Sequence, residues 1–158
     1  MELRQIALML ALARRMAPRP EIKLEKVEAE IPRPKTEIRY EVDRTISGAG
    51  RRTLIDETGK GELSEFVVVA ESSSYRVIIY VDGKEVLNAT WSEINELSQE
   101  LREVNAFTTI NTETGEVTGY GFNLINVKWQ KSFRLEIVNT STSSLRFKKL
   151  MAKWEVIR

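Results

Sequence analysis

No cysteine and no histidine occur in this chain of 158 residues. Disulfide staples, cysteine nucleophiles, thiolate zinc sites and imidazole acid–base chemistry are therefore removed together. Compartment is left open, since a domain of this size can stand on its apolar core alone. Nucleophile elbows and Ser-x-x-Lys settings are also missing. Carboxylates are numerous, yet no spacing singles out a pair placed across a cleft as glycoside hydrolysis needs. Asp56 and Glu57 could start a calcium site but lack the loop spacing of one. The expectation is a protein that is not an enzyme and holds no cofactor or metal.

An excess of charge of one sign is lacking too: 24 Lys and Arg face 23 Asp and Glu, a formal net charge of +1. No overall field draws the chain to nucleic acid. The distribution is uneven, with 8 basic against 5 acidic residues in 1–35, 8 against 16 in 36–127, and 8 against 2 in 128–158. A folded sandwich would interleave these segments and blur that separation. The abundance of Glu, Lys and Arg suits a thermophilic source.

Long apolar runs are the third absence. Ile6 to Ala13 falls short of the roughly twenty residues a spanning helix needs. Glu2 and Arg14-Arg15 argue against reading it as a secretory signal. Proline is scarce, and Pro18, Pro20, Pro32 and Pro34 all bound one segment.

What is present is β patterning. Leu63 to Glu71 and Tyr75 to Val81 are β-rich runs separated by Ser72-Ser73-Ser74, and the second returns through Asp82-Gly83 into Lys84 to Leu87. Asp-Gly between apolar runs is a strong hairpin signal, because a primed turn needs positive φ at its centre. We read Leu63 to Val86 as the nucleus of an antiparallel domain, with both strands of a central hairpin covered on both faces.

Ahead of it, Leu3, Ile6, Leu10, Ala13 and Ala17 recur at helical spacing over 1–17, and Leu8, Met9 and Leu12 make the middle apolar nearly all round. Such a helix wants more than one neighbour. Its own β-domain, copies of the chain or a partner protein, and a membrane surface are the three coverings that suit it, the last through Arg4, Arg14, Arg15 and Arg19; protein contacts are expected ahead of the membrane. Residues 21–36 read as an extended charged arm. Ile22 and Leu24 share one face and Val27, Ala29 and Ile31 the other, with a bulge near Glu25-Lys26. The domains are thus 1–36, helix and arm, and 37–158, β-sandwich.

Ile38, Tyr40 and Val42 open the body as its first strand. Ser47 to Arg52 is glycine-rich but lacks the Gly-Lys-Ser/Thr ending of a phosphate loop, so it reads as a surface loop. One internal helix runs from Trp91 to Val104, started by Thr90 and Glu93 at capping-box spacing and striped by Ile94, Leu97, Leu101 and Val104. Strands follow at Ala106–Ile110, Val117–Leu124, Phe133–Ile137 and Leu145–Ile157. Gly119 and Gly121 leave one face of their strand bare, fit for a bulge, a neighbouring ring or the floor of a ligand groove beside Tyr120 or Trp129. In the last strand the apolar phase slips near Lys148-Lys149, which predicts a bulge. About eight strands with a single internal helix and no βαβ rhythm give an antiparallel β-sandwich of jelly-roll or related Greek-key type.

The basic set Lys128, Lys131, Arg134, Arg146, Lys148, Lys149 and Lys153 interleaves with Trp129, Phe133, Phe147 and Trp154. Alternation makes the aromatics core and the cations a solvated face, so nucleic acid is not expected as a partner. Asn88-Ala89-Thr90 and Asn139-Thr140-Ser141 are glycosylation sequons placed in turns.

From Gly59 onward the layout resembles a β-sandwich module of structural proteins in tailed viruses and proviruses, in capsid decoration or tail and baseplate parts. The resemblance rests on Gly59-x-Gly61-Glu62-Leu63, on Tyr75 to Val81 followed by Asp82-Gly83 and a short helix, and on Lys131-Ser132-Phe133-Arg134 entering a strand that ends at Asn139. It implies location in a virion or virus-like particle and partners that are copies of this chain or other virion proteins. The assembly interface then falls on Leu3, Ile6, Met9, Leu10, Leu12, Arg14, Arg15, Ile22 and Leu24. The alternative is a carbohydrate- or ligand-binding module with a glycan stacked on Trp91, Tyr120 or Trp129.

Overall fold

The structure, a computed structural model, describes Gln5 and residues 32–158. Apart from Gln5, the helix predicted over 1–17 lies outside the described residues, as do the bulge at Glu25-Lys26, most of the arm and all nine interface residues named above. One compact unit spans Pro34–Arg158. Its elements are β1 (Lys35–Ile46), β2 (Arg51–Thr58), β3 (Lys60–Ala70), β4 (Tyr75–Val81), β5 (Lys84–Thr90), α1 (Trp91–Leu97), β6 (Val104–Ile110), β7 (Val117–Trp129), β8 (Ser132–Asn139) and β9 (Leu145–Ile157).

These strands form two antiparallel sheets packed as a sandwich, ordered β1-β9-β3-β7-β6 and β2-β8-β4-β5. The sheets meet through one apolar cluster. Phe66, Val68, Phe122, Leu124, Leu150 and Ala152 come from the first sheet; Leu54, Tyr75, Val77, Ile79, Phe133, Leu135 and Ile137 come from the second. Each large side chain so buried contributes on the order of 1.5–3 kcal/mol before ordering costs.

Several local expectations hold. Asp82 and Gly83 have φ of 52° and 79°, as the tight return from β4 to β5 requires. Thr90 and Glu93 complete a reciprocal capping box on α1. In β9 the pairing with β3 slips between Lys149 and Phe147, which brings Leu145, Phe147, Leu150, Ala152, Trp154 and Val156 all into buried positions. The bare face of β7 lies under a ring, for a Cβ on Gly121 would collide with Phe107.

Other expectations are corrected. Ser72-Ser73-Ser74 does not close a hairpin: β3 pairs with β7 and β9, whereas β4 pairs with β5 and β8 in the other sheet. The triserine corner carries the chain across the sandwich, with the Glu71 N–H bonded to Arg146 O on one sheet and Thr140 N–H to Ser74 O on the other. α1 ends at Leu97 rather than Val104. Ser98 stops it, because its hydroxyl donates to Ile94 O (2.8 Å) and accepts from Ala106 N–H (2.6 Å), turning the chain into β6. Leu101 is consequently exposed, and Val104 is buried as a strand residue. Nine strands form among the described residues where about eight were expected. Arg51 and Arg52 belong to β2 rather than to the preceding loop.

The two long seams between the sheets are closed differently. On one side α1 links edge strand β5 to edge strand β6 and packs on both. On the other side, polar groups join β2 to β1 and to the end of β9. Arg39 donates to Leu54 O, Arg52 pairs with Glu41 at 2.8 Å, and Glu57 accepts from Trp154 Nε1 (3.1 Å) and from Arg158 Nη2 (2.9 Å).

At the end of the β4–β5 hairpin, the Asp82 carboxylate accepts the backbone N–H groups of Lys131 (2.6 Å), Ser132 (3.1 Å) and Gln130 (3.0 Å) in the β7–β8 turn. Those three donors, Lys131 and Ser132 foremost, hold the carboxyl below its ordinary range. A depressed acid stabilises the fold above its unfolded value and loses that contribution as pH falls through the folded one. Asp82→Asn should therefore lower the urea midpoint at pH 7. The gap to the native chain should close as pH falls below about 4 in denaturation curves followed by circular dichroism. A gap unchanged from pH 7 to pH 2 would show that the carboxylate charge is not what holds the turn.

Candidate functional site

The three aromatics offered as a ligand surface lie in different settings. Trp129 is 1% exposed, stacked on Phe133 with ring centroids 4.7 Å apart, and rests on Gly61, where any Cβ would strike the indole. Trp91 is buried at the start of α1, donates from Nε1 to Gly121 O (2.9 Å) and sets its ring edge-on to Tyr120 at 5.0 Å. Tyr120 is half-buried against the core. A stacking platform for sugars needs open ring faces, and the tryptophans of this set spend theirs on the interior. That corrects the reading of Trp91 and Trp129 as surface groups: Trp91 stands three residues before Ile94 on the buried face of α1, whereas Trp129 reaches the interior through a phase slip in β7 at Asn126 (φ 57°), beyond Phe122 and Leu124.

Polar side chains inside the body are likewise committed to holding it. Asn139 is fully buried as the last residue of β8, which corrects the placement of its sequon in a turn, and Asn88 of the other sequon likewise lies within β5. Its amide donates to Ile46 O (3.1 Å), Ser47 O (3.0 Å) and Ser143 O (2.8 Å), and its carbonyl accepts from Ser141 N–H (2.9 Å). Glu136 is buried on β8 between Arg51, at 3.5 Å, and Arg134. Glu57, once a candidate calcium ligand, serves Trp154 and Arg158. The Tyr75 phenol, pushed well above its ordinary value by burial, donates to Tyr120 O at 3.2 Å. The aromatics of the basic C-terminal set, Trp129, Phe133, Phe147 and Trp154, are all buried, as alternation predicts.

A cavity of about 390 Å³ opens where β3 begins and β7 and β9 end, lined in part by Pro34, Lys60, Glu62, Lys128 and Glu155. Its carboxylates are already matched, with Glu62 4.0 Å from Lys128 and Glu155 accepting from Thr36 at 3.3 Å. Nothing there sets a nucleophile against a base.

The feature that departs from a sealed domain is β1. Its odd-numbered residues Glu37, Arg39 and Glu41 are turned toward the polar seam, and its even-numbered ones face outward. Ile38, Tyr40 and Val42 are 70%, 61% and 50% exposed, the reverse of the usual sorting on a half-buried strand. The cause is local: the seam with β2 is built from ion pairs and a guanidinium–carbonyl bond, so the charged phase of β1 goes inward and the apolar phase is left outside. Among the described residues β1 pairs with β9 alone, which leaves its other edge open.

No family model matches the chain, and no curated protein matches it.

Proposed function

We propose that this chain is a structural subunit without enzymatic activity, a component of a virion or virus-like particle in capsid decoration or in a tail or baseplate. Its body is a jelly roll, and it docks on neighbouring subunits through the helix and arm of residues 1–36. The strand orders support the jelly-roll reading: setting β6 aside, β1-β9-β3-β7 faces β2-β8-β4-β5, the order two wound Greek keys produce. The layout resemblance from Gly59 onward supports the viral setting.

One observation carries the assembly reading: the outward row Ile38, Tyr40 and Val42, set on the strand into which the arm runs. Single exposed apolar residues are ordinary, whereas a contiguous row on an open-edged strand marks a surface that another molecule covers. Deleting residues 1–20 should leave a folded, soluble body by circular dichroism that no longer enters the full chain's oligomer, measured by size exclusion with light scattering. Undiminished assembly after the deletion would overturn docking through this segment.

A further inference from the structure

β1 carries a sequence that complements itself. Around Tyr40 it reads apolar, cation, tyrosine, anion, apolar: Ile38, Arg39, Tyr40, Glu41, Val42. In an antiparallel pair, directly opposite residues share a face, and opposite charges placed so are favourable while like charges are not. Turning a second β1 about a two-fold axis at Tyr40 sets Ile38 against Val42, Tyr40 against Tyr40, and Arg39 against Glu41 twice. The outward row then stays apolar and the inward row alternates in charge. Other centres fail on one of these counts. An axis at Arg39 or at Glu41 faces like charges, and an axis at Ile38 runs Val42 against Pro34, which has no N–H to donate.

We propose that β1 is a homodimerisation strand, through which two copies pair edge to edge about Tyr40 and join their five-stranded sheets into one. This deepens the assembly reading and rests on it, naming a second copy of the chain as the occupant of the exposed row. The structure supplies the required parts. Ile38, Tyr40 and Val42 are exposed, and the edge of β1 is open among the described residues. Within each copy Glu41 already pairs with Arg52 at 2.8 Å and with Arg39, so the Arg39–Glu41 contacts across the axis would extend an existing cluster of alternating charge. Glu37 and Asp43 fall opposite each other at the ends of the pairing, but each is matched in its own chain, Glu37 by Lys35 at 2.7 Å and Asp43 by Arg146. Asp43 has φ of 52° and drops out of the pairing with β9, which resumes at Arg44, so a regular partner strand on the open edge would run no further than Val42. Main-chain hydrogen bonds of the new ladder give the affinity, and the charge and apolar pattern gives the register.

The absence of cysteine makes the register directly testable in the full chain. Residues facing each other on an axis lie about 4.5–5.5 Å apart at Cα, within the range a disulfide spans. Tyr40→Cys should convert most of the protein to a covalent dimer under mild oxidation. Ile38→Cys alone should stay monomeric on a denaturing gel, since its two copies would sit about 13 Å apart. An equal mixture of Ile38→Cys and Val42→Cys should again give dimer. These side chains are exposed, and circular dichroism checks that each variant is folded. Sedimentation velocity of the native chain should show concentration-dependent dimer. If the native chain forms oligomers but Tyr40→Cys crosslinks no better than Ile38→Cys, pairing about Tyr40 is overturned while the assembly reading stands. A native chain that stays monomeric at every concentration overturns both.

Discussion

Trp129→Ala should destabilise the body by about 3–5 kcal/mol, the range for truncating a large buried aromatic. Against the roughly 5–15 kcal/mol that holds a domain of this kind, that leaves a protein partly unfolded at moderate temperature. The site explains why the loss falls at the upper end. The indole is 1% exposed, stacks on Phe133 with an interplanar angle of 20°, and sits on Gly61, whose missing side chain makes the space for it. Gly61 in turn lies between β7 and β9 and pairs with both Trp129 and Val156, so the backbone under the ring is pinned on two sides and cannot collapse into the gap. Urea unfolding followed by far-ultraviolet circular dichroism measures the effect independently of indole fluorescence. Trp129→Phe should recover more than half of the loss by keeping the stack. Equal losses in the two variants would show that the ring's contact with Phe133 is not the source.

Asn139→Ala should cost about 3 kcal/mol by a different route. Removing one partner of a buried hydrogen bond leaves the other unsatisfied at roughly 1–3 kcal/mol each. Here the carbonyls of Ile46 at the end of β1, of Ser47 in the β1–β2 loop and of Ser143 in the β8–β9 loop, and the N–H of Ser141, lose their partner together. Water entering at the loop ends recovers part of that sum. Asn139→Asp separates donation from shape: a carboxylate keeps the acceptor for Ser141 but turns a repelling charge on the three carbonyls. Burial raises the pKa of that new acid, so its penalty grows as pH rises past the unfolded value of about 4 and shrinks below it, where the protonated form donates again. Thermal melts at pH 3 and pH 7 should therefore bring Asn139→Asp closer to the native chain at the lower pH. A larger deficit at pH 3 than at pH 7 would contradict this account.

Asn139 also shows why some of the body was legible and some was not. It continues the alternation Phe133, Leu135, Ile137, so its phase marks it as inward-facing. Its residue type, a turn former inside a sequon, argued for the surface. Phase reports burial and residue type reports only preference, and the amide satisfied the conflict by bonding two loops at once. The triserine corner is the opposite case. Ser72 to Ser74 suits a hairpin turn and a sheet crossing equally well, and the choice depends on β7, β8 and β9, all of which begin far downstream, from Val117 onward. α1 was readable at its start, where the capping box is local, and misread at its end, where Ser98 is claimed by Ala106 of the next strand.

The candidate surface divides in the same way. Alternation made β1 a strand with Ile38, Tyr40 and Val42 on one face. Nothing in the alternation said that this face would be the outer one. That was settled by the seam, where Arg39 reaches Leu54 O and Glu41 meets Arg52, so that polar bonds between the sheets outcompete apolar burial for the inner side of an edge strand.

By itself, then, the sequence determined what neighbouring residues can settle: strand phases, the Asp82-Gly83 return, the cap on α1 and the phase slip in β9. Tertiary structure alone decided which strands pair, where the chain crosses between sheets, where the phase of β7 slips to bury Trp129 and which face of β1 meets solvent. Each of these is a competition among groups far apart in the chain, and local patterning carries no term for it.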